Sequence, residues 1–139
     1  TAGSGVQHSE FNPSPDTTVH FLQIWILPQT LSLTPSYEQK VFMEEERSDH
    51  LHLIVSRDGR EQSLTIHQDV DLYTSLLTAD CMLSYPLRKE RKGWVQVVLG
   101  DVVVNEVHLG AGDGLALQDC DQARVNALSD TELLLIDIG

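Results

Sequence analysis

Short apolar runs separated by turn residues follow one another along most of the chain. The run at 19–27 is rich in β-branched and aromatic side chains and ends at Pro28, which is typical of a strand. Gly100-Asp101 lies between two valine-rich runs and predicts a hairpin. The other strand-like runs lie at 51–55, 64–67, 70–77, 81–85, 94–99, 102–109, 115–117, 123–128 and 133–138. This spacing predicts about nine or ten short strands.

The chain has no convincing helical stripe. Residues 37–47 are the best candidate, but their apolar positions do not recur at the 3.6-residue helical period. The segment at 12–16, Asn-Pro-Ser-Pro-Asp, is the most linker-like stretch and separates the first eleven residues from the rest. The pattern therefore predicts an all-β, antiparallel sandwich or barrel with an N-terminal arm.

Composition and charge narrow the range of partners. The 139 residues carry a net charge of −12 and only nine Lys and Arg, so we expect no nucleic-acid partner and no anionic membrane partner. No apolar run is long enough to span a bilayer. Cys81 and Cys120 lie outside any Cys-x-x-Cys pair and predict buried, inert thiols. A cytoplasmic location is the expectation.

His8 and Glu10 are the first candidate functional residues. On a strand, residues two apart point to the same face, so an imidazole and a carboxylate would converge as metal ligands or as a base and its orienting partner. His-x-Glu also occurs by chance, and an ordinary polar surface pair explains the same pattern.

His50 and His52 form a second pair of this kind, close to Asp49 and downstream of the acidic run 44–46. They could contribute to a divalent metal site. A solvated edge strand with two ordinary histidines is the alternative, and the pattern alone does not decide between the two.

Several segments together resemble the pirin family. The first is the start of the chain, which is similar to the second metal-ligand motif of that family. The matching segments are 1–13 (TAGSGVQHSEFNP), 22–28 (LQIWILP), 34–39 (TPSYEQ), 58–59 (DG), 63–69 (SLTIHQD), 72–73 (LY), 94–100 (WVQVVLG), 113–116 (DGLA) and 133–138 (LLLIDI). The resemblance covers nearly the whole chain.

This resemblance implies a fold and a chemistry. Pirins are bicupins, two jelly-roll β-barrels in tandem, and their bacterial members include quercetin 2,3-dioxygenases. The family holds a mononuclear divalent metal, iron or similar, with three histidines and one glutamate, which leaves positions open for a flavonol and dioxygen. His8 and Glu10 match two of these four ligands, and Glu10 would also be the base in an intact site.

The chain departs from the family at its N-terminal side. The His-x-His strand that carries the other two ligands has no counterpart, and His50 and His52 do not replace it by alignment. We therefore expect 1–27 to be a remnant of the N-terminal barrel and 28–139 to form the C-terminal cupin barrel. Residues 68–107 contain no histidine, so the second barrel is expected to be metal-free, as in the family. A natural short reading frame, a misassigned start and a piece of a longer protein all remain open.

Three functional hypotheses are consistent with these residues. In the first, the isolated chain is a non-catalytic binding or interaction module that holds no cofactor and forms a homodimer through the arm at 1–16 or the run at 19–27. In the second, it is a fragment of a metal-dependent quercetin 2,3-dioxygenase whose remaining ligands lie upstream. In the third, a dimer rebuilds a divalent metal site from His8 and Glu10 of each copy. A flavonol-like molecule is the candidate ligand.

Overall fold

The computed structural model describes residues 1–139 and contains ten strands and no α-helix. The strands are β1 (His52–Ser56), β2 (Leu64–Thr65), β3 (Val70–Leu77), β4 (Met82–Pro86), β5 (Lys92–Leu99), β6 (Asp101–Val104), β7 (Val107–Gly110), β8 (Gly114–Leu117), β9 (Gln122–Ala127) and β10 (Thr131–Ile138). Two short 3₁₀ turns lie at Glu44–Glu46 and Arg60–Gln62. The all-β prediction is confirmed.

The strands form two sheets that pack face to face. The larger sheet has the order β2-β1-β3-β10-β5-β8, and the smaller has the order β4-β9-β6-β7. Every strand pairing is antiparallel except the short one between β1 and β2. This arrangement is a jelly-roll barrel, in which strands of both sheets alternate inward-facing and outward-facing side chains.

The hydrophobic core lies between the two sheets. Alternate residues of β10 and of β5 are buried, as a strand with one face in a core requires. The core cluster consists of Leu77, Leu87, Val95, Val97, Val102, Val104, Leu109, Leu117, Ala123, Val125, Ala127, Leu133 and Leu135. Small aliphatic side chains dominate it, and no aromatic residue belongs to it.

The chain changes sheets at Gly100, so the predicted hairpin there is wrong. β5 pairs with β10 and β8, whereas β6 pairs with β7 and β9. Gly100 has φ +84°, and a Cβ at this position would stand 2.3 Å from the carbonyl oxygen of Asp130. The hairpin lies instead between β6 and β7, where Asn105 and Glu106 have φ 45° and 72°, typical of a type I′ turn.

Residues 1–43, all of which are called the arm from here on, contain no strand, so the strand predicted at 19–27 is wrong for this chain. Backbone hydrogen bonds join Ser4 N to Leu33 O and Ser36 N to Thr1 O within the arm. Gln29 N donates to His67 O, which attaches the arm beside the edge strand β2. The run at 19–27 finds no neighbouring strand in the chain, and strand propensity alone cannot supply one. The proposed domain boundary at 27/28 stays a prediction.

A buried polar network lies at one end of the barrel. Asp137 on β10 is only 3% exposed. It accepts hydrogen bonds from Tyr85 Oη at 2.6 Å and from Arg91 Nε at 2.6 Å. Arg91 also donates to both carboxylate oxygens of Asp69 at 3.1 Å. Each charged group at this end of the core therefore has a partner, as burial requires.

The network changes the pKa of two of its members. Burial raises the pKa of Tyr85, and the hydrogen bond to Asp137 raises it further. Burial lowers the pKa of Arg91, but the hydrogen bonds to Asp137 and Asp69 outweigh that effect and the net shift is upward. The folded barrel therefore favours the protonated form of Tyr85, whose hydroxyl donates to Asp137.

Replacing Glu106 by glycine tests the turn between β6 and β7. A left-handed backbone costs a non-glycine residue about 1–2 kcal/mol, and the added chain freedom of glycine cancels part of the gain. We expect Glu106→Gly to raise the free energy of unfolding by about 0.5 kcal/mol and Tm by about 2–4 °C. Thermal denaturation checks this. Glu106→Ala should give no increase, and an unchanged Tm for Glu106→Gly would contradict the turn assignment.

Replacing Tyr85 by phenylalanine tests the buried network. At pH 7 we expect Tyr85→Phe to lower the free energy of unfolding by about 1.5–3 kcal/mol, since the lost hydrogen bond is made to a charged group. The unfolded chain deprotonates Tyr85 near its ordinary pKa of about 10, whereas the folded chain keeps it protonated. The stability that depends on Tyr85 is therefore present below about pH 10 and is lost above it.

Urea unfolding between pH 7 and pH 11 measures this dependence. Tyr85→Phe should remove the Tyr85-dependent loss of stability at alkaline pH. Tyr37→Phe is the matched control, because Tyr37 is 83% exposed in the arm. Equal effects of the two substitutions would show that the network contributes nothing.

Candidate functional site

The strongest sequence candidates, His8 and Glu10, lie together in the arm. His8 Nε2 is 4.0 Å from Glu10 Oε1, and the two side chains are 59% and 54% exposed. They do not lie on a strand, so the geometry that the sequence predicted is absent, although the two side chains still converge. The pair forms an open, solvated imidazole–carboxylate site.

The donor set at this pair is too small for a mononuclear metal centre. No group of three or more His, Cys, Asp or Glu side chains in the chain is arranged so that it could hold a metal ion. Zinc and non-haem iron sites in proteins use three or four protein ligands. The residues of this chain alone do not complete the metal site that the family resemblance implies.

His50 and His52 are not brought together as a metal site. His50 precedes β1, and its Nδ1 donates to the carbonyl oxygen of Ser48 at 2.8 Å. The His52 ring instead packs edge-on against Phe42, with 5.3 Å between ring centroids. The centroids of the two imidazoles are 6.4 Å apart. β1 is also not an edge strand, because it lies between β2 and β3.

The acidic residues near this pair are engaged elsewhere or exposed. Asp49 accepts hydrogen bonds from the backbone N and the side-chain Oγ1 of Thr78, at 2.8 and 3.0 Å. The backbone hydrogen bond from Thr78 lowers the pKa of Asp49. The glutamates at 44–46 lie in the 3₁₀ turn and face solvent.

The two cysteines are free and partly buried rather than fully buried. Burial raises the pKa of the Cys81 thiol, and a hydrogen bond with Asp49 raises it further. A raised pKa leaves less of the reactive thiolate at neutral pH. Cys81 is therefore poorly suited to act as a nucleophile, in agreement with the inert role that the sequence predicted.

Sequence reasoning missed the network around Asp137. The basic stretch 88–92 has the composition of an ordinary charged surface loop, but Arg91 turns inward to Asp137 and Asp69. A signal was present in β10, where Leu133, Leu135 and Asp137 occupy successive inward positions. A carboxylate at an inward position needs a buried cation or hydroxyl as its partner.

Comparison with known proteins decides the family. The family profile described as "Quercetinase C-terminal cupin domain" matches residues 53–138, which is more than half of the chain and covers nearly all ten strands. This chain belongs to the pirin family. The cupin barrel of this pirin is therefore the C-terminal one, as the sequence resemblance implied.

Curated relatives and solved structures agree with this assignment. The pirin chain is 41% identical over 138 residues to "Quercetin 2,3-dioxygenase" of Escherichia coli, a match that covers 99% of this chain and 58% of that protein. The crystal structure of YhhW from Escherichia coli matches with a TM-score of 0.78 and 38% identity, over 83% of this chain and 48% of that one. A second structure of bacterial pirin YhhW, in complex with nickel(II), matches with a TM-score of 0.77 and 38% identity, over 82% of this chain and 48% of that one.

The relatives are longer proteins than this chain. This pirin spans a little more than half the length of the curated relatives that it matches. The nickel(II) complex concerns the Escherichia coli protein and indicates that metals are bound within the family. No helix in this pirin is both long and apolar enough to cross a bilayer.

Proposed function

We propose that this chain is a pirin-type cupin module related to quercetin 2,3-dioxygenase, and that by itself it is a non-catalytic binding or interaction module. The observation that carries the proposal is the incomplete donor set at His8 and Glu10. His8 Nε2 and Glu10 Oε1 lie 4.0 Å apart. No third His, Cys, Asp or Glu side chain lies where it could complete a metal site with them.

Ligand number supports this proposal. A single imidazole and a single carboxylate on an exposed segment leave a divalent ion mostly hydrated and weakly held. Both side chains lie in a part of the arm without regular structure and are more than half exposed. Tight binding needs pre-positioned ligands, and these two donors are fewer than the three or four that such a centre uses.

A second candidate function is a part of a metal-dependent quercetin 2,3-dioxygenase. One observation favours it. This chain is 41% identical to a quercetin 2,3-dioxygenase but covers only 58% of the length of that protein. The remaining ligands would then lie upstream of Thr1. In that case His8 and Glu10 would be metal ligands, and Glu10 would be the base that takes the flavonol proton in the intact site.

The proposal also includes a ligand, a cellular location and an assembly for this chain. A flavonol-like small molecule is the proposed ligand by relation to the quercetinases. The cytoplasm is the proposed location, since the two cysteines are free thiols and free thiols persist in reducing compartments. A homodimer formed through the arm is the proposed assembly.

Metal content of the purified 139-residue chain tests the proposal. After incubation with nickel(II) or iron(II) and dialysis, we expect elemental mass spectrometry to find far less than one metal ion per chain. We also expect no consumption of quercetin and no oxygen uptake above buffer. His8→Ala should leave the metal content unchanged, as should the control His20→Ala, which removes another exposed histidine of the arm.

A stoichiometric metal ion would contradict the incomplete donor set on which the proposal rests. If His8→Ala removed that ion and His20→Ala did not, His8 and Glu10 would have found additional donors, within a dimer or at His50 and His52. Quercetin consumption by the metal-loaded chain would overturn the proposal completely.

A further inference from the structure

A short segment of the barrel holds part of the arm in place. Residues 67–69 lie between β2 and β3. The His67 carbonyl oxygen accepts a hydrogen bond from Gln29 N at 2.9 Å, and Gln68 Nε2 donates to the carbonyl oxygen of Leu27 at 2.8 Å. These two bonds attach the arm to the barrel at 27–29.

The Gln68 side chain is oriented by the residue that follows it. Gln68 Oε1 accepts a hydrogen bond from Asp69 N at 2.8 Å. An amide whose oxygen accepts one bond while its nitrogen donates another is fixed in a single orientation. The position of the Asp69 backbone therefore sets the direction in which Gln68 reaches Leu27.

Asp69 is in turn held from the barrel side. Arg91 Nη1 donates to both of its carboxylate oxygens at 3.1 Å, and Gly139 N donates to its carbonyl oxygen at 3.0 Å. The Arg91 side chain is 15% exposed, whereas the Asp69 side chain is 41% exposed. The ion pair thus joins a mostly buried cation to a carboxylate at the surface.

Strand β10 fixes the direction of Arg91. Arg91 Nε donates to Asp137 Oδ1 at 2.6 Å, and Arg91 Nη2 donates to the Asp137 carbonyl oxygen at 3.2 Å. A guanidinium is planar and rigid, so two of its nitrogens bound to Asp137 determine where the third one points. An unbroken series of hydrogen bonds therefore runs from β10 through Arg91, Asp69 and Gln68 to the arm.

The next attachment of the arm does not pass through this series. Glu38 Oε2 accepts a hydrogen bond from Thr65 N at 2.9 Å, and Lys40 Nζ donates to the carbonyl oxygen of Gln62 at 2.6 Å. Neither pair bonds to Arg91 or to residues 67–69. The attachment at 27–29 can therefore open while the one at 38–40 stays closed, since proteins open locally in separate units.

We propose that Arg91 is a positioning residue for the arm. It holds Asp69 against the end of β10, and Asp69 sets the Gln68 amide and the neighbouring His67 carbonyl that bind 27–29. Loss of the ion pair between Arg91 and Asp69 opens this attachment and leaves the barrel folded. The inference concerns contacts between arm and barrel and goes beyond the proposed function.

Residue-resolved hydrogen exchange of the 139-residue chain, measured by NMR, tests the proposal. Asp69→Ala removes the outer ion pair and leaves Arg91 bound to the buried Asp137. We expect the Gln29 amide to exchange about three- to fivefold faster in this variant, as loss of a partly exposed ion pair allows. Gln68→Ala should act in the same direction, because it removes the bond to Leu27.

Other amides of the same samples report whether the effect is local. The Thr65 amide belongs to the attachment at 38–40, and the Leu135 amide lies on the central strand β10. Both should exchange at unchanged rates in Asp69→Ala. Arg91→Lys keeps the charge but lacks the planar set of donors, so it should speed exchange at Gln29 at least as much as Asp69→Ala.

Glu132→Ala is the matched control. It removes the carboxylate of another partly buried ion pair, in which Arg47 Nη1 lies 2.7 Å from Glu132 Oε1 and the side chains are 21% and 28% exposed. Glu132 lies near the opposite end of β10 from Asp137. We expect this substitution to leave the exchange of Gln29 unchanged.

Three results would overturn the proposal. They are an unchanged Gln29 exchange rate in Asp69→Ala, an equal acceleration at Gln29 in Glu132→Ala, and an equal acceleration of Gln29 and Leu135, which would show a loss of global stability instead. Metal content is measured separately, so none of these results bears on the proposed function.

Discussion

The pairing of β10 with two neighbours is the constraint on which the rest of the structure depends. β10 lies in the middle of the larger sheet, between β3 and β5, and its alternate residues fill the core. This position forces Asp137, near the end of the strand, to point inward with Leu133 and Leu135. Tyr85 on the opposite sheet and Arg91 in the loop before β5 must then reach it. The Asp137 carboxylate thus connects the two sheets and the loop before β5 through hydrogen bonds at one end of the barrel.

The barrel and the arm follow different physical rules. The barrel pairs its strands in two sheets, and Asp137, its most buried carboxylate, has hydrogen-bond partners within the chain. The arm carries the two residues that resemble family metal ligands and the most exposed apolar side chain of its central run, Trp25. The metal chemistry proposed for His8 and Glu10 depends on further donors that the arm itself does not provide. The proposed function of this pirin therefore depends on which groups contact the arm.

Local pattern predicted the barrel well because strand alternation and turn residues are local properties. The run 70–77 became β3 with the predicted bounds, and the family resemblance was confirmed. The prediction of a hairpin at Gly100-Asp101 was wrong because two successive strands can join different sheets. Which sheet a strand joins depends on partners that are distant in the sequence. The strand at 19–27 failed for the same reason. At the candidate site, the sequence identified His8 and Glu10 but could not show whether further donors surround them, since that depends on tertiary placement.

The attachment of the arm beside β2 has a consequence for how the domain can be divided. β2 is only two residues long and forms the outer edge of the larger sheet. Glu38 accepts a hydrogen bond from the Thr65 backbone N–H, and Gln29 donates its own N–H to the carbonyl of His67. The arm thus shields the open margin of its own barrel from foreign strands. A minimal domain that begins at the family boundary near residue 53 would lose these contacts and expose the edge strand β2. That edge could then pair with strands of other molecules and aggregate, so the residues before the barrel protect it from aggregation.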